Sequence, residues 1–144
     1  MEVFMSLLGH AKQIQDKNLS NFTSIEKNFL STTAEGTLEY DAVYIDDEKI
    51  FRIGWASSAK KAGVRLLTLS NPQELEMYEA VLSKEDCVIY IDQELGPRYP
   101  KGDLVAISLF KKGFKKIKMA TCYNSGIFEQ LKWLECTGKT PPWN

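Results

Sequence analysis

The spacing of apolar residues changes near residue 40. Before that point Val3, Phe4, Leu7, Leu8, Ala11 and Ile14 recur at helical spacing on one face. Phe22, Ile25 and Phe29 repeat the pattern more briefly, with Thr23 and Glu26 placed as a capping box. Residues 31–39 are small and polar, include Gly36, and fit a linker. The pattern predicts a helical extension over residues 1–40, followed by a separate domain over 41–144.

From Asp41 onward short apolar runs alternate with helical ones. Ala42 to Ile45 and Cys87 to Asp92 are too short for helices and rich in β-branched and aromatic types. They predict strands buried on both faces, as inside a parallel sheet. Residues 64–69 and 116–121 predict two more strands, and 135–138 a short last one. A helix is predicted over 48–62, with Gly63 closing it. A second opens at Asn71, with Asn as the N-cap, Pro72 in the first position and Glu74 in the third. Its apolar face is Leu75, Tyr78, Val81 and Leu82. A third, over 103–110, is expected to turn Leu104, Ile107 and Phe110 inward and to stop at Gly113. A fourth is marked by Ile127, Phe128, Leu131 and Leu134. Strands alternating with helices of this length imply α/β architecture, a parallel sheet joined by right-handed crossovers.

Size and charge narrow the function classes. A chain of 144 residues with a net charge of −1 is long enough for a real core and carries no excess charge to hold a polyanion. The lysines between 111 and 118 fit a solvated helix end better than a nucleic-acid patch. Cys87, Cys122 and Cys136 are odd in number and lack metal-ligand spacing, as expected of reduced thiols in a cytoplasmic protein. Met1 to Leu8 lacks the basic start of a signal peptide, and no run approaches membrane-spanning length. Neither nucleic acid nor membrane is therefore expected as a partner.

The candidate chemistry lies at the strand ends. In open parallel sheets ligands bind beyond the carboxyl ends of the strands. In chain order those ends carry Asp46 and Asp47, then Asp92, Thr121 and Lys139. Each alone has an ordinary role: a helix cap, a strand-end hydroxyl, a solvated lysine. Trp55, Trp133 and Trp143 fit packing positions. Together the acids would repel one another and call for a cation. Mg2+ fits, because it is a hard ion content with one or two carboxylates and with water or phosphate in its remaining positions. With Lys139 as a positive charge and Thr121 as a donor, such a site could hold an acyl phosphate on Asp92.

The motifs YIDDE, IYIDQELG, MATCY and TGKTPPW, over residues 41–143, resemble the receiver domain of two-component response regulators. LLTLSNPQE and GKTPPW look most like receivers associated with sensor histidine kinases. The resemblance implies a flavodoxin-like, doubly wound five-stranded parallel sheet of order 2-1-3-4-5. It implies that Asp92 accepts phosphate from a sensor histidine kinase or a phosphotransfer protein. Asp47 would bind Mg2+ directly and Asp46 through water, with Asp92 and the Glu94 backbone completing the protein ligands. Thr121 would hydrogen-bond a phosphoryl oxygen, and Lys139 would pair with Asp92 or its phosphate. A receiver transfers and hydrolyses its own phosphoryl group slowly and is not an enzyme in the ordinary sense.

The chain departs from that pattern at three places. Cys136 stands where receivers often have a switching aromatic, Thr140 intervenes before the proline, and no fifth helix follows Lys139. A missing helix leaves an apolar strip of sheet to be covered. The helix from Val3 to Ile14 is expected to cover it, in its own chain or in a homodimer partner. His10, the single histidine, lies on that helix without the acidic neighbour of a phosphorylated kinase histidine and fits an ordinary role. Two other functions remain open. One is a phosphorylation-independent protein-binding or dimerisation module on a receiver-like scaffold. The other is a phosphatase of the haloacid dehalogenase type, whose nucleophile would lie in the first strand.

Overall fold

The computed structural model describes residues 39–121 and 130–143. The chain divides into two compact units, one of residues 40–74 and 83–144, the other of residues 1–39 and 75–82. The helices expected in the first forty residues, His10, Cys122, Ile127 and Phe128 all lie outside the described residues.

The larger unit is built on a five-stranded sheet. Its strands are β1 (Ala42–Ile45), β2 (Leu66–Leu69), β3 (Val88–Ile91), β4 (Lys116–Met119) and β5 (Glu135–Cys136). All pairs are parallel, in the order β2-β1-β3-β4-β5. All four residues of β1 are buried, as are the last three of β3. That burial is why both strands read as unbroken apolar runs.

Alternation sorts the side chains onto two faces. Ala42, Tyr44, Tyr90 and Ala120 form one cluster with Trp55 of helix α1 (Lys49–Ala62). Ile45, Ile91 and Met119, in register with one another, take the opposite face. Gly102, the first residue of helix α3 (Gly102–Lys111), lies against the Met119 side chain. Helices therefore cover both faces, the α/β arrangement of flavodoxin-like folds.

The helix ends follow the local chemistry. α1 closes at Gly63, which takes the left-handed conformation (φ 73°) that lets the Val64 N–H reach back to the Ala59 carbonyl at 2.9 Å. Lys60 and Lys61 sit at its negative end. Helix α2 (Pro72–Glu76) starts as its sequence predicts: the Asn71 side chain accepts the Glu74 N–H at 3.0 Å. The Glu74 carboxylate accepts the Ser70 N–H at 2.9 Å.

Several expectations need correction. α2 stops at Glu76, and a 3-10 turn follows at Glu79–Val81. The tighter bonds from Tyr78 to Leu75 and from Val81 to Tyr78, both 2.9 Å, replace the α-helical pattern there. Leu75, Tyr78 and Leu82 are buried all the same. α3 buries Gly102, Val105, Ala106 and Leu109, whereas Leu104 and Phe110 are 55% and 44% exposed. Its small residues set the face, because a Cβ on Gly102 would lie 2.1 Å from the Asp92 carbonyl oxygen. Phe110 instead stacks on Trp133 with ring centroids 4.2 Å apart. Residues 130–134 form turns, so the described part of the expected fourth helix is not helical.

β5 ends at Cys136, two residues earlier than expected, although the Thr137 N–H still reaches the Met119 carbonyl at 2.8 Å. From there to Trp143 the described chain runs in turns and bends. Trp143 packs edge-on against Trp55 and Tyr90, at 5.5 and 5.8 Å. The expected cover, the helix from Val3 to Ile14, lies outside the described residues; among the described ones Trp143 packs onto this cluster. No helix among the described residues is long and apolar enough to cross a membrane.

Candidate functional site

Strand register makes the first pair of the site. Ile45 is opposite Ile91, so the next residues, Asp46 and Asp92, are neighbours at the strand ends. The Asp92 N–H continues the ladder to the Ile45 carbonyl at 2.9 Å. Alternation puts both carboxylates on the face that carries Tyr44 and Tyr90. Both are buried. Asp47, in the exposed turn into α1, completes a trio whose ligand atoms all lie within 4.8 Å of one another. Gly96, with φ 100°, runs close by: a Cβ there would lie 3.8 Å from Asp47 Oδ2.

Lys139 reaches the same point from beyond β5. Its Nζ lies 2.9 Å from Asp46 Oδ2 and 3.1 Å from Asp92 Oδ2, with its side chain only 15% exposed. The ammonium also sits 4.2 Å from the centroid of the Phe51 ring.

Asp46 is held by more than Lys139. The Tyr44 hydroxyl donates to Oδ2 at 2.5 Å, and the Glu48 N–H donates to Oδ1 at 2.9 Å. Arg52 donates to the Asp46 carbonyl at 2.7 Å. The Trp55 indole N–H donates to the Lys139 carbonyl at 2.8 Å. Apolar spacing alone gives Tyr44, Phe51 and Arg52 no chemical role and makes Trp55 a packing residue. A signal was present for Tyr44, two residues before Asp46 on one strand and hence on its face. For Phe51 and Trp55 the signal was their four-residue spacing on α1.

The electrostatics follow from burial and proximity. Burial first, then the charge of Asp46, push the Asp92 carboxyl up to about 6, against the opposing pull of Lys139. Burial works against the Lys139 ammonium, but its hydrogen bonds to Asp46 and Asp92 outweigh that and lift it above its ordinary range. Burial and the bond to Asp46 push the Tyr44 phenol up, so it stays protonated as a donor. Burial pushes the Cys87 thiol up to about 12 and raises that of Cys136, so both are inert near neutrality.

The remaining expected residues are placed as follows. Thr121 is buried just past β4, one residue beyond the position opposite Asp92. Glu94 lies in the loop after Asp92, and its side chain pairs with Lys101 at 2.5 Å. Cys136 is half-buried on β5, opposite Met119. The structure thus joins Asp46, Asp47, Asp92 and Lys139 by distance, and sets Thr121 at the same sheet edge.

Chemically this is an all-oxygen donor set, buried at Asp46 and Asp92 and open at Asp47. Such a set could hold a small hard cation with water in its remaining positions. Comparison with known proteins adds no relative: no family model, no curated protein and no solved structure matches the chain.

Proposed function

We propose that residues 41–144 form a phosphoacceptor receiver domain of a two-component phosphorelay, with Asp92 as the acceptor. The observation that carries this reading is the ammonium of Lys139 bridging Asp46 and Asp92, beside Asp47, at the strand tips of a 2-1-3-4-5 parallel sheet. In this reading Asp47, Asp92 and the Glu94 carbonyl hold Mg2+, with Asp46 acting through water. The metal supplies charge neutralisation for the incoming phosphoryl oxygens.

The protein's own part is to present a fixed carboxylate. An Asp92 oxygen forms the new bond to phosphorus as the phosphorus–nitrogen bond of a donor phosphohistidine breaks, and the leaving imidazole regains a proton from solvent. Lys139 then exchanges its contact with Asp92 Oδ2 for a phosphoryl oxygen, and Thr121 donates to another. The donor is a sensor histidine kinase or phosphotransfer protein, and the signal leaves by protein contact. A cytoplasmic setting, an N-terminal helical extension and a homodimer formed through that extension belong to the same proposal.

The test is a mass measurement after incubation with acetyl phosphate and Mg2+. One added phosphoryl group is expected, dependent on the metal and absent from Asp92→Asn. An unmodified wild-type protein overturns the proposal. A phosphorylation-independent binding module is favoured by one observation, the half-buried Cys136 where an aromatic switch would stand. Failure of beryllofluoride with Mg2+ to bind would support that second reading. A phosphatase with Asp46 as nucleophile fits poorly, because both of its carboxylate oxygens accept hydrogen bonds and it is fully buried. Turnover of p-nitrophenyl phosphate that survives Asp92→Asn but not Asp46→Asn would reverse that judgement.

A further inference from the structure

Lys139 is a long, flexible side chain on a weakly tethered stretch of backbone. β5 is only two residues long, the last ladder-like bond among the described residues is that of Thr137, and Gly138 with φ 76° turns the chain just before Lys139. Among the described residues, sheet pairing therefore ends before the residue whose ammonium meets two carboxylates.

Helix α1 supplies what the sheet does not. The Trp55 indole N–H holds the Lys139 carbonyl at 2.8 Å, and one turn earlier the Phe51 ring lies 4.2 Å from the Lys139 ammonium. One helix thus grips this lysine at both ends. Trp55 is itself locked: it is 1% exposed and stacks on Tyr44 at 3.9 Å with the rings 4° from parallel. Tyr90 and Trp143 close on it from other sides. Packing alone would be satisfied by any large apolar side chain. The indole N–H is the feature that packing leaves unexplained, and its partner lies 84 residues away in sequence.

We propose that Trp55 is a positioning residue for Lys139, fixing its backbone so that the ammonium spans Asp46 and Asp92. The role in phosphoryl binding rests on the receiver reading above; the positioning does not. Loss of the indole N–H frees the backbone at residue 139, and the ammonium then spends less time at the two carboxylates.

Two variants remove the N–H. Trp55→Phe keeps an aromatic ring on Tyr44. The second replaces Trp55 with β-(3-benzothienyl)alanine, which has the same shape with sulfur in place of N–H, and separates the hydrogen bond from packing. The first measurement needs no phosphoryl chemistry. In competitive acylation with acetic anhydride, read by peptide mass spectrometry, Lys139 is expected to react at least about threefold faster in the isosteric variant while other lysines keep their rates. An unchanged Lys139 rate overturns the proposal.

The second measurement is binding of beryllofluoride at saturating Mg2+. Affinity is expected to fall about three- to tenfold in the isosteric variant, the worth of one hydrogen bond, while Mg2+ affinity alone stays within about twofold. In a Lys139→Ala background the same replacement is expected to cost nothing more, because Trp55 acts through that side chain. Equal losses in both backgrounds overturn the proposal. If the wild-type protein binds no beryllofluoride, the receiver reading falls and the acylation rates alone decide the role of Trp55.

Discussion

Replacing Lys139 with alanine removes an ammonium that touches both buried acids and leaves Asp46 and Asp92 facing each other. Removing one partner of a buried ion pair costs about 3–5 kcal/mol, because the remaining charge stays desolvated. The lower figure applies here, since Lys139 is 15% exposed and water can reach part of the vacated space. We therefore expect a loss of about 3 kcal/mol at pH 8, or roughly 10 °C in Tm for a domain of this size.

The sign of the pH dependence makes the test specific. In the wild-type protein Asp92 titrates at about 6 instead of 3.8. The folded form therefore binds that proton more tightly than the unfolded one. Stability falls as pH rises from about 4 to 6 and then levels off. Without Lys139 the pull that lowers Asp92 is gone, its folded value moves above 6, and the decline continues toward pH 8 in the variant alone. Urea unfolding at pH 5, 6.5 and 8 without divalent ions should show a gap that widens with pH. A divalent cation at ten times its Kd should restore about 1.4 kcal/mol at pH 8. Parallel stability curves for the two proteins, separated by the same amount at every pH, would refute the assigned coupling between Lys139 and Asp92.

Two further outcomes are expected. If Asp92 holds Mg2+ as proposed, the ion must displace a proton from it below pH 6, so Mg2+ affinity should fall up to about tenfold per pH unit there and stay flat above pH 7; calorimetry in buffers of different ionisation enthalpy would count the proton released. Gly102→Ala places a Cβ 2.1 Å from the Asp92 carbonyl oxygen and 2.9 Å from Met119 Cε. It should cost about 2 kcal/mol or more in denaturant unfolding and weaken Mg2+ binding together with it, because α3 must back away from the tip of β3.

Much of the frame was legible because the local signals agreed with the tertiary result. β1 and β3 are apolar throughout, and only a strand covered on both faces tolerates that. Asn71, Pro72 and Glu74 fixed the start of α2, and Gly63 the end of α1, through backbone bonds that lie within a few residues. The end of α2 was not legible in the same way. Leu75, Tyr78 and Val81 recur every three residues, a spacing that keeps them near one side at either α or 3-10 pitch, so the apolar spacing could not tell the two apart.

The buried face of α3 shows a different limit. Hydrophobicity favoured Leu104, Ile107 and Phe110, yet the helix turns Gly102, Val105, Ala106 and Leu109 inward. Closeness decided the matter: the helix starts so near the Asp92 carbonyl that only glycine fits at 102. A large apolar residue on that line would have driven the helix away from the strand tip that carries Asp92. The same logic explains why the acids were visible and their supports were not. A carboxylate at a strand end stands out against an apolar run, whereas Tyr44, Phe51 and Trp55 look like any aromatic core residue. Their roles depend on where a hydroxyl, a ring face and an indole N–H point once the sheet has brought residue 139 beside residue 46. That contact spans 93 residues, and it exists only because β1 lies inside the sheet and the chain beyond β5 turns back toward it across β3 and β4.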